Sequence, residues 1–208
     1  MGQAVSSLRE LLAQPGAQAL LDALMVHLPT GLTLAEADGV RILRVSEHGA
    51  ALLGRPRDDL ENISVQQHVE AYRVARKDGS PAAGEDLPLS RACRGDVVTN
   101  EEYIVYDESG RPIPILCNAG PIVGPGGEIL GGVIAWSDLS AQKRLIAERN
   151  TLLDELNHRI RNHLQLLSGF LHVEGRRTDV SAADLASRFN DRLQVIGKVY
   201  SLLSRASA

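Results

Sequence analysis

Glu155, His158 and Asn162 are spaced i, i+3 and i+7 in the stretch ELNHRIRNHLQ, with Arg159 and Arg161 between them. On a helix that spacing stacks a carboxylate, an imidazole and a carboxamide along one face. The set has the parts needed to take up a phosphoryl group and pass it on: a ring nitrogen with a lone pair, a neighbour to fix its tautomer, and positive charge for the incoming oxygens. In this reading His158 is the nucleophile. Glu155 accepts the second ring N–H and serves as the nearby base. Arg159 and Arg161 attract phosphates or an acidic partner pocket, and Asn162 positions a water for dephosphorylation.

The helix that carries these residues decides which histidine is reachable. Leu139, Ile146, Leu153, Ile160 and Leu167 fall seven residues apart, the rhythm of a coiled coil. With those at position a, Leu156, His163 and Phe170 take position d and point toward a partner helix. His158 takes position f and is expected to face solvent. Gln142 and Arg149 are polar at d and weaken the seam near the start of the helix. His172 also falls at f but lacks the polar surroundings, and an isolated histidine on a solvated face is ordinarily plain surface.

The run ELNHRIRNHLQLLSGFL resembles the phosphoacceptor box of sensor histidine kinases, in the class whose box reads HRxKN and which includes the HWE-type kinases. Arg161 stands where that class usually has lysine, which keeps the charge and changes the hydrogen-bond geometry. The resemblance spans seventeen residues and includes polar positions, so it is more specific than one histidine on a helix. It implies a histidine kinase that takes phosphate from ATP and Mg²⁺ in a separate ATP-binding domain and hands it to a response-regulator aspartate. No asparagine-bearing helix or glycine-rich ATP lid follows Ser204. The expectation is therefore a truncated kinase that does not label itself, with a stand-alone phosphotransfer or adaptor protein as the alternative.

Composition narrows the rest. A chain of 208 residues with 44% hydrophobic residues has room for a packed core. Its 22 basic and 26 acidic residues give a net charge of −4 and no basic run, which argues against nucleic acid. No apolar stretch approaches the roughly 20 residues of a membrane span, and the N-terminus does not read as a signal peptide. Gly2 with Ser6 fits a myristoylation pattern only by a two-point match. Two cysteines, Cys93 and Cys117, suit a reducing compartment and provide neither a disulfide framework nor a metal cage. The expected location is the cytoplasm.

Along the chain, residues 1–28 read as two short helices, Ser6 to Gln14 and Ala17 to His27. Residues 29–138 begin with a hairpin turned at Asp38-Gly39 and a brief helix from Ala50 to Gly54. A loop-rich crossover over 55–84 with a turn at Asp78-Gly79 comes next, then a helix from Glu85 to Arg94. Three strands follow: VVTNEEYIVYD, PIPILCNAGPIV and EILGGVIAWSD. This order is similar to that of PAS sensor domains, as are the local runs GLTLAEADGVRIL, EDLPLSRACRGD and WSDLSAQK. Asp138, Leu139 and Ser140 resemble the element by which PAS domains hand over to an output helix. Ser46 departs from the asparagine common in PAS sequences.

Residues 139–208 then read as one helix to about Val173, a break at EGRRTDV, and a second helix opened by Ser181 and Asp184. That helix carries Leu185, Phe189, Leu193, Ile196, Tyr200 and Leu203 on one face. The expected architecture is α+β: a PAS domain with a five-stranded antiparallel sheet, joined without a Gly/Pro linker to a helical hairpin that pairs with a second copy as a four-helix bundle. No ligand of the PAS core is legible. Cys93-Arg94 resembles the pair in flavin photosensors without the rest of that signature, and His68 reads as structural rather than a haem ligand.

Overall fold

In the strand Pro112–Val123, Ile113, Ile115, Cys117 and Ala119 are buried while the residues between them are not, so the period of two in the sequence becomes one covered and one open side. The computed structural model describes residues 7–176 and 181–206. By contacts the chain divides into Met1–Lys143 and Arg144–Ala208.

The first unit opens with α1 (Leu8–Leu12) and α2 (Pro15–His27). Pro15 sits in the first turn of α2, where its missing N–H leaves no bond unmade. β1 (Gly31–Glu36) and β2 (Arg41–Val45) form the expected hairpin, with Gly39 at φ +64 in the turn. α3 (Glu47–Leu53) ends on left-handed Gly54. α4 (Val65–Tyr72) and the two-residue β3 (Ala75–Arg76) occupy what reads in sequence as a loop-rich crossover. α4 opens with a capping box between Ser64 and Gln67 and packs Val65 and Val69 against the core.

The helix expected from Glu85 to Arg94 is instead a 3₁₀ turn, Gly84–Asp86, followed by α5 (Pro88–Ala92). Leu87, which precedes proline, is held extended at ψ 146, and that splits the helix. β4 (Val98–Tyr106), β5 (Pro112–Val123) and β6 (Ile129–Asp138) complete an antiparallel sheet in the order β2-β1-β6-β5-β4-β3. The sheet thus has six strands rather than five, because β3 adds a short rung beside β4. The architecture is the α+β fold of a PAS domain followed by long helices.

At β6, neighbouring glycines show cover on both sides of the sheet. A Cβ on Gly131 would run into Leu8 of α1 and the Ala35 carbonyl, while one on Gly132 would meet Ala92 and Cys93 at the end of α5. The main core includes Ile42, Leu53, Leu60, Leu89, Tyr103, Ile115, Ile134 and Trp136. Leu8, Leu43 and Leu130 form a second cluster under α1. Each such aliphatic chain withdrawn from water contributes about 1.5–3 kcal/mol.

Ser46, the departure from the common asparagine, is fully buried. Its Oγ accepts from Leu32 N at 2.9 Å and Gly49 N at 3.1 Å and donates to the Thr30 carbonyl at 3.1 Å. One hydroxyl therefore ties β1 to the start of α3.

α6 (Ser140–Glu174) starts directly after β6, and α7 (Ala182–Ala206) follows. Ser181 caps α7 by accepting from Asp184 N at 3.1 Å. The break between the helices, at 177–180, lies outside the described residues, as do the side chains of Tyr200 and Leu203 and the Gly2/Ser6 pattern. Among the described residues no helix is long and apolar enough to cross a membrane.

Candidate functional site

The start of α6 is pinned by polar contacts. Asp138 Oδ1 accepts from Ser140 N at 2.7 Å, and Leu139 N donates to the Pro114 carbonyl of β5 at 2.8 Å. Lys143 Nζ lies 2.8 Å from one oxygen of Glu102 on β4, and Lys77 Nζ lies 3.1 Å from the other. Bonds from these two lysines hold the Glu102 carboxyl below its ordinary pKa.

Farther along α6, Glu155, His158, Arg159, Arg161 and Asn162 are all exposed and occupy two turns of one helix. Glu155 and Arg159 form an i,i+4 ion pair. The ring of His158 meets Asn162 instead: Asn162 Nδ2 lies 3.3 Å from His158 Nδ1. The structure therefore brings the carboxamide to the imidazole and gives the carboxylate to Arg159, whereas the sequence reading gives Glu155 the ring. Arg161 is exposed on the same turn.

Within the second unit the other side of α6 is covered only around His163 to Phe170. His163 and Phe170 are half-buried, Leu167 is buried, and the Arg192 guanidinium of α7 lies 4.2 Å above the Phe170 ring. Ile146, Leu153, Leu156 and Ile160 keep between 41% and 48% of their surface exposed in the single chain. His172 is exposed.

In the first unit a cavity of about 60 Å³ lies in the core, lined mainly by apolar side chains with Thr33, His68 and Tyr103 among them. His68 retains some surface as a residue, yet its Nδ1 is sealed from solvent, and burial lowers its pKa from 6.5 to about 4. Tyr103 donates its hydroxyl to Glu101 at 3.2 Å, and burial first, then the Glu101 charge, raises its pKa. Glu101 is in turn held by Arg91 at 2.8 Å. Nothing in the sequence pattern signals this chain from cavity wall to α5, because it joins residues on different elements. Burial pushes the Cys93 thiol up to about 11 and the Cys117 thiol up to about 12, so both stay protonated and poorly nucleophilic. Among the described residues no group of histidine, cysteine and carboxylate side chains could hold a metal ion.

Comparison with known proteins divides the chain in the same region. Residues 29–141 match the family described as PAS domain, and residues 155–208 match the family described as histidine kinase. The chain belongs to the PAS domain family, over more than half its length, and the segment after that domain is similar to the histidine kinase family. No curated protein matches it. Among solved structures it is similar to the PAS domain of an HTR-like protein from Haloarcula marismortui. The identity is 17% over 62% of this chain and 98% of that one, with a TM-score of 0.41. A domain of a sensory box sensor histidine kinase/response regulator from Geobacter sulfurreducens matches at 19% identity, covering 60% and 96% with a TM-score of 0.40. The LOV domain of a blue-light activated histidine kinase from Erythrobacter litoralis matches at 20% identity, covering 54% and 98% with a TM-score of 0.43.

Proposed function

We propose that this chain is the sensor and phosphoacceptor portion of a cytoplasmic two-component histidine kinase, with His158 the residue phosphorylated. A kinase ATP-binding domain with bound Mg²⁺ supplies the donor. His158 Nε2 attacks the γ-phosphorus, the N–P bond forms as the bond to ADP breaks, and ADP leaves with the electron pair. The phosphoryl group then passes to an aspartate of a response-regulator receiver domain. Arg159 and Arg161 attract the phosphate-bearing partner, and Glu155 serves as base or as the counter-charge that holds Arg159 in place.

One observation carries the reading: the histidine kinase match begins at Glu155, and the box histidine it contains is exposed on a long helix beside polar groups. The same helix supports a homodimer. The half-exposed aliphatics at a and d positions are the kind of surface a second copy of the hairpin buries in a four-helix bundle. A shift in the PAS pair reaches His158 through residues 139–156, starting from the ties of Lys143 and Leu139 to the sheet. The small apolar cavity leaves the PAS ligand unassigned.

The test is transfer of radiolabel from ATP with a histidine kinase ATP-binding domain supplied in trans. Label on the wild-type chain that is lost in His158→Asn, with the helical content of the variant unchanged, is the expected result. Equal labelling of the two proteins would refute the assignment.

A further inference from the structure

We propose that the carboxamide of Asn162 selects which ring nitrogen of His158 carries the proton, switching Nε2 between a blocked and a nucleophilic state. This rests on His158 being the phosphoacceptor and gives Asn162 a positioning role in forming the phosphohistidine, apart from any part in dephosphorylation. The observation is the 3.3 Å contact between Asn162 Nδ2 and His158 Nδ1, made while Glu155 on the same face is engaged by Arg159.

In the arrangement observed, the amide N–H donates to Nδ1. A neutral imidazole whose Nδ1 accepts carries its proton on Nε2, so Nε2 has no lone pair to offer phosphorus. The oxygen and nitrogen of a carboxamide fill nearly the same space. A half-turn about the Asn162 Cβ–Cγ bond therefore puts Oδ1 where Nδ2 was without moving the helix. Oδ1 then accepts from Nδ1–H, and the Nε2 lone pair points outward.

Both side chains are exposed, so the half-turn meets no packed neighbour. The i, i+4 spacing keeps amide and ring within reach in either state. A docking domain that offers an acceptor to the outward NH₂ holds the oxygen inward. In the transfer itself Nε2 gives its lone pair to phosphorus and the leaving group departs with its own electron pair. The Nδ1 proton of the resulting imidazolium is shared with Oδ1 until it passes to water.

Phosphoramidate phosphorylates histidine directly, with ammonia as the leaving group, and so tests this without an ATP-binding domain. The full chain is prepared with ¹⁵N-labelled histidine as wild type, Asn162→Asp, Asn162→Ala and His158→Asn. Nitrogen shifts report the tautomer, phosphorus NMR reports which nitrogen is phosphorylated, and rates are taken across a neutral to mildly alkaline pH series to separate tautomer from charge.

A carboxylate can only accept. Asn162→Asp is therefore expected to fix the Nδ1–H form and to raise labelling of Nε2 about tenfold, the factor one net hydrogen bond carries. Asn162→Ala is expected to release the ring to a mixture of tautomers, with phosphate on both nitrogens. Identical tautomer signals and the same labelled nitrogen in wild type, Asn162→Asp and Asn162→Ala would overturn the inference alone, provided the label still depends on His158. Exposed His27 and His172 also react, so the His158 signals are those that disappear in His158→Asn; ATP-dependent labelling of His158→Asn equal to wild type would overturn both this inference and the phosphoacceptor reading.

Discussion

At His68 the environment sets a direction that a titration can follow. Its folded-state pKa, about 4, lies below the ordinary 6.5, so the unfolded chain binds the proton first. Stability from this residue is full above pH 6.5 and falls as the pH drops from 6.5 toward 4, by up to roughly 1.4 kcal/mol per pH unit. Urea midpoints at neutral and mildly acid pH should therefore differ less in His68→Leu than in wild type; an unchanged difference would mean the imidazole is already solvated. The thiols of Cys93 and Cys117 make a companion case. A thiol-selective reagent should label neither in the native protein and both after unfolding, and rapid native labelling would contradict their burial. Gly31 is a steric case: it pairs in register with Trp136, and a Cβ there would overlap the indole. Gly31→Ala should cost roughly 1–3 kcal/mol, and because Trp136 is the sole tryptophan, its fluorescence should shift with the variant.

Among the elements, α6 concentrates the functional argument. Leu153→Asp and Ile160→Asp each remove an aliphatic chain worth about 1.5–3 kcal/mol at the proposed seam and place a charge there. Light scattering should show two chains in the wild type and one in these variants; a wild-type monomer would remove the bundle. The same scale shows what can be read from sequence. β5 was legible because its apolar run is bounded by the turn residues Ser109-Gly110 and Pro125-Gly126-Gly127, and α7 because Ser181 and Asp184 announce its start. α4 was not, since its helical spacing rests on only Val65, Val69 and Tyr72 over eight residues, and its capping box sits inside a polar run. The helix read across Glu85 to Arg94 failed at one dipeptide, Leu87-Pro88. At the site, spacing placed Glu155, His158 and Asn162 on one face. Which of the two polar neighbours meets the ring depends on the competing pull of Arg159 on Glu155, a matter of side-chain geometry that spacing does not encode.

For the whole molecule, proposed pairing and folding are linked, since two chains that share a core unfold together. The melting temperature should therefore rise with protein concentration in the wild type and lose that dependence in Leu153→Asp. The unbroken run of α6 from Ser140 to Glu174 adds a mechanical consequence. At a rise of about 1.5 Å per residue, His158 stands roughly 27 Å along the axis from Ser140. In the proposed mechanism, this is the length of helix over which a movement of the PAS domain must be carried before it alters the reach of the imidazole.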